Sequence, residues 1–212
     1  GSGKSTLVKL MNRFYDVSRG LIEINGVDIR KYNLESLRTQ IGYVAQKAHM
    51  FKGSIQSNIC FGKPEASVEE MVHAATVAQA SDFISTREHG YEDEIAEDGT
   101  NISGGQKQRL SIARVILKKP SLYIYDDSFS ALDFKTDATL RKALKPEVKN
   151  AIFFVVAQRI STIMDSDMII VLDEGQIIGM GTHAQLLKDC SVYQEIAHSQ
   201  LTQKELDDYE RN

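Results

Sequence analysis

The sequence predicts an α/β fold: a mostly parallel sheet with a helical stretch inserted into it. Three observations carry this. The chain opens on Gly1-Ser2-Gly3-Lys4-Ser5-Thr6 and runs straight into the apolar helical pattern Leu7-Val8-Lys9-Leu10-Met11. Residues 41–45, 121–125 and 151–157 are apolar runs of strand length. The last is nearly all apolar, as a parallel strand buried on both faces should be. Between the first two of these runs, over 47–118, the texture is helical instead.

The opening hexapeptide reads as the second half of a phosphate loop, G-x-x-x-x-G-K-[ST], whose first glycine lies outside the given sequence. Its glycines let successive N–H groups point at phosphate oxygens. Lys4 would reach the β- and γ-phosphates, the Ser5 hydroxyl would hold Mg²⁺, and the helix that follows aims its positive end at the same anion. Past this helix, Arg19-Gly20 breaks the pattern. Leu21-Ile22-Glu23-Ile24 then meets Asn25-Gly26, a strand followed by a hairpin turn. Residues 32–38 read as a short helical turn. The strand over 41–45 ends at Gln46, a polar amide at the strand end where ligands gather in α/β folds.

In the helical stretch, Ser67-Val68-Glu69-Glu70 is a capping box that opens a helix. Its Val68, Met71, Val72, Ala75 and Ala78 share one predicted apolar face. Residues 92–98 are acidic and read as a loop. Ser103 and Gln106 form a second capping box, within Asn101-Ile102-Ser103-Gly104-Gly105-Gln106, and open a helix that Pro120 stops. A cap needs only the serine. The pair Gly104 and Gly105 is surplus to it, and lets a large anionic group approach the helix N-terminus.

The strand over 121–125 runs into Asp126-Asp127. An acid at the end of a core strand beside a phosphate loop is the expected Mg²⁺ position, reached through water. The second acid stands where a base for the attacking water belongs. Ser130-Ala131-Leu132-Asp133 starts a helix, and the strand over 151–157 ends at Gln158-Arg159. Residues 168–172 and 176–180 flank Asp173-Glu174-Gly175 as a hairpin. Thr182 caps a last helix with His183, read as a surface or capping residue, in its first turn. The tail over 202–212 is charged and is expected to fray.

Composition narrows the class. The 212 residues suffice for one domain with a sizeable core. A balance of 25 basic and 29 acidic residues gives no pull toward nucleic acid. Cys60 and Cys190 stand far apart without metal-ligand spacing, which suits two free thiols in a reducing compartment. No apolar run approaches the roughly 18 residues of a membrane span, and no signal-peptide pattern is present. As given, the chain is expected to be soluble and to serve a membrane only through a partner or another segment.

Together these residues resemble the nucleotide-binding domain of an ATP-binding cassette (ABC) transporter, over essentially the whole chain. Gly1 to Thr6 matches Walker A, Gln46 the Q-loop, and Ile102-Ser103-Gly104-Gly105-Gln106 the signature, whose first residue is usually Leu. Asp126 closes Walker B, and Ser130-Ala131-Leu132-Asp133 is the D-loop. The stretches "GLIEINGVDIR" and "IGYVAQKAHMFKGSIQSNICFG" look like the exporter branch. That branch's T-E-V-G-E-R-G, a contact to transmembrane domains, stands here as Asp93-Glu94-Ile95-Ala96-Glu97-Asp98-Gly99. The resemblance implies a P-loop NTPase fold: a RecA-like α/β core over 1–46 and 119–190, an α-helical subdomain over 47–118 and a C-terminal helix and tail over 191–212. It implies ATP and Mg²⁺ as cofactors, with Ser5, Gln46 and Asp126 at the metal. Gly1, Ser2, Gly3, Lys4, Ser5 and Thr6 would bind the nucleotide of this chain's own site.

In this family two domains dimerise head to tail, each ATP lying between one chain's Walker A and the other's signature. Ser103, Gly104, Gly105 and Gln106 would therefore face a partner's ATP. Catalysis would fall to Asp127, Gln158 and Gln46, with two departures from the family pattern. The base is normally Glu, and Asp127 is shorter by one methylene. The switch residue is normally His, and Gln158 carries neither proton nor charge. The pair is similar to one half of heterodimeric exporters, with a second, different nucleotide-binding chain as partner, transmembrane domains outside the sequence, and a place on the cytoplasmic face of the cell membrane. An adenine-stacking aromatic residue would precede Gly1, so weak nucleotide binding is expected of the chain as given. The rival classes are a non-transport ABC ATPase of DNA repair or translation and a soluble P-loop kinase. The first usually carries coiled-coil insertions or basic arms, and the second has no need of a signature.

Overall fold

The computed structural model describes residues 2–202. Gly1, read as part of the phosphate loop, and residues 203–212, read as a fraying tail, lie outside the described residues. Helix α1 (Lys4–Met11) starts from Gly3, whose φ of 91° is a left-handed turn that glycine adopts without a Cβ clash. Strands β1 (Glu23–Ile24) and β2 (Val27–Asp28) form a hairpin. Its turn residues Asn25 and Gly26 have φ of 53° and 74°, as a two-residue hairpin turn requires. The Asn33 side chain caps helix α2 (Leu34–Gln40), a fuller helix than the short turn expected.

Strand β3 (Ile41–Val44) enters the main sheet. After it come β4 (Gly53–Ser54), α3 (Ile55–Ile59), α4 (Val68–Val77), α5 (Ser81–Ser85), β5 (Glu94–Ile95) and α6 (Gly104–Lys118). Strand β6 (Leu122–Asp126), α7 (Phe134–Glu147), β7 (Ile152–Val156) and α8 (Ile160–Ile163) follow. The hairpin β8 (Ile169–Asp173) and β9 (Gln176–Gly181) precedes α9 (His183–Asp189) and α10 (Ser191–Gln200).

The main sheet has the order β3-β6-β7, all parallel. Its register sets Val44 beside Tyr125, and Tyr125 beside Val155. The three strands therefore end together, and the residues that follow them leave the sheet along one edge. On one face α6 packs flush. A Cβ added at Gly42 would lie 2.5 Å from Val115 Cγ1 and 2.6 Å from Pro120 Cγ, so only glycine fits there. Leu110, Ile112, Ala113 and Ile116 of α6 share one core with Tyr123 and Tyr125 of the sheet and with Met71, Ala74 and Ala75 of α4. The other face carries α1, with Val8, Leu37, Ile41, Ile124 and Val156 buried together. A separate cluster joins Ile160, Val171, Leu186, Tyr193 and Ala197.

Five expectations are corrected. Strand β7 is not buried throughout: Ile152 is 67% exposed, because β7 pairs only with β6 among the described residues. On α4, Val68 and Val72 are exposed. The packed stripe is Met71, Ala74, Ala75 and Ala78, Val72 being turned aside and Val68 lying in the overhanging first turn. The acidic loop over 92–98 contains β5, which pairs antiparallel with β4. Helix α9 is followed by α10. His183 is a core residue, 2% exposed with Nδ1 2.7 Å from the Tyr193 hydroxyl, since α10 covers it. Both capping boxes form with both reciprocal bonds, and Cys60 and Cys190 are free thiols.

Candidate active site

The site grows from the common edge of β3, β6 and β7. Asp126, the last residue of β6, is buried with both carboxylate oxygens engaged. Ser5, in the first turn of α1, donates from Oγ to Asp126 Oδ1 at 3.0 Å. The Tyr43 hydroxyl donates to Oδ2 at 3.3 Å. Burial, with the Asp126 charge and this bond adding to it, pushes the Tyr43 hydroxyl up to about 12. A hydroxyl and a carboxylate that converge in this way are hard oxygen donors and fit Mg²⁺.

The phosphate loop lies beside them. Lys4 Nζ donates to Ser2 Oγ at 2.6 Å, so the lysine closes over its own loop. The turn of the β8–β9 hairpin abuts it, with Gly175 N–H donating to Ser2 O at 3.3 Å. A Cβ on Gly3 would come within 3.6 Å of the Gly175 Cα. Thr6 is exposed.

Asp127 holds a φ of 50°, an uncommon left-handed conformation for a residue with a side chain. Its N–H donates to Val156 O at 2.9 Å, which ties the start of the turn after β6 to the end of β7. The carboxylate then meets the strand ends on both sides. Oδ2 accepts from Gln46 Nε2 at 3.1 Å and from Gln158 Nε2 at 2.8 Å. Burial pushes the Asp127 carboxyl above its usual range. The two amides pull it back, Gln158 more than Gln46, while the neighbouring Asp126 charge raises it further. Gln46, Asp127 and Gln158 are thus brought into one hydrogen-bonded group. The amide of Gln158, expected to reach toward a γ-phosphate, is spent on Asp127 here.

Ser103, Gly104, Gly105 and Gln106 open α6. The Gln106 N–H donates to Ser103 Oγ at 3.2 Å and the Ser103 N–H to Gln106 Oε1 at 3.0 Å. A Cβ on Gly105 would lie 3.4 Å from the carbonyl of Ala131, in the stretch 130–133. At Gly104 it would meet nothing within 4 Å. This chain's own packing leaves that position free for any residue.

Four site residues escaped the sequence reading. Tyr43 lies one strand position before Val44. Ser128 Oγ donates to Val44 O at 2.8 Å and locks the turn after β6 to β3. Gln108, 1% exposed, donates to Ala45 O at 3.1 Å and ties α6 to the loop that carries Gln46. Gln200 closes the far side of a cavity of about 380 Å³ that Asp127, Ser130, Gln158, Arg159 and Thr162 also line. Over this cavity's rim the Arg159 guanidinium stacks on the Phe134 ring, 4.6 Å from its centroid. Tyr43 alone carried a signal, as a polar-tipped side chain one position before the strand's end.

Residues 1–130 match the ABC transporter family. The chain belongs to the ABC transporter family. It is the family's ATP-binding domain, an ATPase with the α/β P-loop fold, and the domain binds ATP, generally with Mg²⁺. The ABC domain is 47% identical over 196 residues to YgaD of Bacillus subtilis, named "Putative multidrug export ATP-binding/permease protein", covering 92% of this chain and 34% of that protein. It is 42% identical over 204 residues to "Heavy metal tolerance factor 1" of Caenorhabditis elegans, covering 96% and 26%. Among solved structures it is similar to a bacterial Atm1-family ABC exporter with ATP bound, at a TM-score of 0.90 and 38% identity over 93% of this chain and 35% of that one. The chain spans about a third of the length of the first curated relatives it matches. Among the described residues no helix is long and apolar enough to cross a membrane.

Proposed function

We propose that this ABC domain powers export of a substrate across a membrane, binding Mg-ATP at a site of its own that hydrolyses slowly. The observation that carries the slow-site reading is that an Asp, one methylene shorter than the usual Glu, is the carboxylate on whose Oδ2 Gln46 and Gln158 converge. Export is supported by relatives whose printed names describe export and permease proteins and whose length is about three times that of this chain.

Ser5 and Asp126 would hold the metal, and Gln46 would offer it an amide oxygen. Mg²⁺, when bound, neutralises charge on the phosphate oxygens. Lys4 leaves Ser2 to reach the phosphates, and Gly1, Ser2, Gly3 and Thr6 offer backbone N–H groups. Asp127 orients the attacking water and accepts its proton. Its carboxylate is one methylene short of the usual Glu, so it stands roughly 1–1.5 Å too far back. A displacement of about 1 Å costs on the order of 10² in rate, and a general base supplies about 10²–10⁴. Gln158 donates a hydrogen bond but cannot shuttle a proton.

Ser103, Gly104, Gly105 and Gln106 serve a second, different nucleotide-binding chain, completing its competent site. The empty space at Gly104 supports this, since nothing within the chain requires glycine there. Residues 1–46 and 119–190 act as the nucleotide-binding core, 47–118 as the helical arm that carries the signature, and 191–212 as a C-terminal element. Transmembrane domains place the assembly at the cytoplasmic face of the cell membrane. The test compares phosphate release by the intact protein, with its partner, against Asp127→Glu combined with Gln158→His. The double variant should turn over about 10² faster at this site while ATP affinity stays within about twofold. Equal rates for the two proteins would remove the slow-site reading.

A further inference from the structure

Gln158 does not hold its place by its own side chain alone. Strand β7 stops at Val156 and α8 begins at Ile160, so the backbone of residues 157–159 belongs to neither element. The first N–H groups of a helix have no partner inside it. Here the N-cap residue, Arg159, makes no side-chain cap. Gln200, the last residue of α10, supplies the missing partner from 40 residues away. Its Oε1 accepts from Ile160 N–H at 2.8 Å, and its Nε2 donates to Gln158 O at 2.8 Å. One side-chain amide therefore grips the backbone on both sides of Arg159, as a neighbouring strand would. Helix α10 is itself anchored, since Tyr193 and Ala197 are buried against Ile160 and Leu186.

We propose that Gln200 is a positioning residue for the hydrolytic site: from the end of α10 it fixes the backbone of Gln158 and so the point at which Gln158 meets Asp127. Every other bond in this chain of contacts is short. Gln200 holds Gln158 O, Gln158 Nε2 holds Asp127 Oδ2 at 2.8 Å, and Asp127 N–H returns to Val156 O at 2.9 Å. The loop closes on itself through the floor of the cavity that Gln200 and Asp127 both line. Helix α10 thereby sets the geometry of a residue from which α8, β8, β9 and α9 separate it in the chain. The catalytic consequence rests on the reading of Gln158 given under Proposed function; the grip itself does not.

Gln200→Met keeps the length and removes both bonds. In the intact protein this variant should expose the Ile160 amide to faster hydrogen exchange. Measured at this chain's own site, with the partner chain's site inactivated, it should lower kcat for ATP hydrolysis on the order of tenfold, the scale at which groups behind a site act, with KM for ATP unchanged. In a Gln158→Ala background the same substitution should leave kcat unaltered, because Gln200 acts only through Gln158. A kcat loss that persists undiminished in that background would mark a merely structural role and overturn the proposal, as would wild-type turnover by Gln200→Met when Gln158→Ala is slowed. If Gln158→Ala turns over like the wild type, the reading of Gln158 fails instead. Ile160 exchange then judges the grip alone, and unchanged protection overturns it. Gln200→Glu keeps the acceptor and loses the donor, so Ile160 should stay protected while kcat still falls; loss of protection there would count against the geometry.

Discussion

At Asp126 three residues from distant parts of the chain meet on one carboxylate. Ser5 and Tyr43 take an oxygen each, so the acid is oriented before any cation arrives. Asp126→Asn should leave the fold in place and remove the Mg²⁺ dependence of ATP binding, which titration calorimetry with and without EDTA would show. Tyr43→Phe should keep that dependence and weaken it, for only the orienting bond is lost. Asp127 behaves differently. Its left-handed backbone and its two amide partners could not be read from the sequence, which shows only that the residue is Asp where Glu is usual. Gln46, Asp127 and Gln158 were legible as strand-end polar residues, because strand ends announce themselves by pattern. Their mutual bonding was not, since it depends on which strands are neighbours.

Among the elements, the helices with local start signals were the most legible. The capping boxes at Ser67 and Ser103 each involve residues three apart, and nothing remote can overrule them. Ser67→Ala should cost about 1 kcal/mol of stability, seen as a lower midpoint in urea with the slope unchanged. Strand β7 was misjudged for the opposite reason. Its apolar composition says what it tolerates, and only its neighbours decide what it buries. His183 was misjudged likewise, because the helix that covers it comes later in the chain. Burial lowers the His183 imidazole below its usual value, with the Asp165 charge opposing less strongly. A folded value below the unfolded one means that the folded state binds fewer protons. The stability this group contributes is full above about 6.5 and is lost as pH falls below it. Between pH 7.5 and 5, wild-type Tm should therefore drop more than that of His183→Phe.

Taken whole, the molecule hangs on α6. One side of this helix closes the sheet at Gly42, the other packs α4, and its first turn carries the signature. Arg114 adds a bridge, donating to Asn58 O at 2.8 Å and stacking on Phe51 and Phe61. Burial lowers its guanidinium to about 10. Gly42→Ala should lift the helix from the sheet at a cost of about 1–3 kcal/mol, measured by urea unfolding. Gln108→Leu leaves the Ala45 carbonyl without its donor and should cost a similar amount, about 1–3 kcal/mol. The parallel α/β plan and the inserted helical stretch were legible because they are patterns over tens of residues. The way one helix serves both was not, since Gln108 and Arg114 look like ordinary surface residues in a helical repeat.

The stack of Arg159 on Phe134 has a practical consequence. The chain contains no tryptophan, and Phe134 is 73% exposed on the first position of α7. Replacing it by Trp keeps a cation over the ring, for which indole is the preferred partner. It also installs an indole, excitable apart from the eight tyrosines of this sequence, directly against the residue that follows Gln158. The emission of Phe134→Trp should then shift when nucleotide displaces the switch segment. That would turn the rim of the cavity into an optical clock, able to time each movement of the segment separately from the release of phosphate.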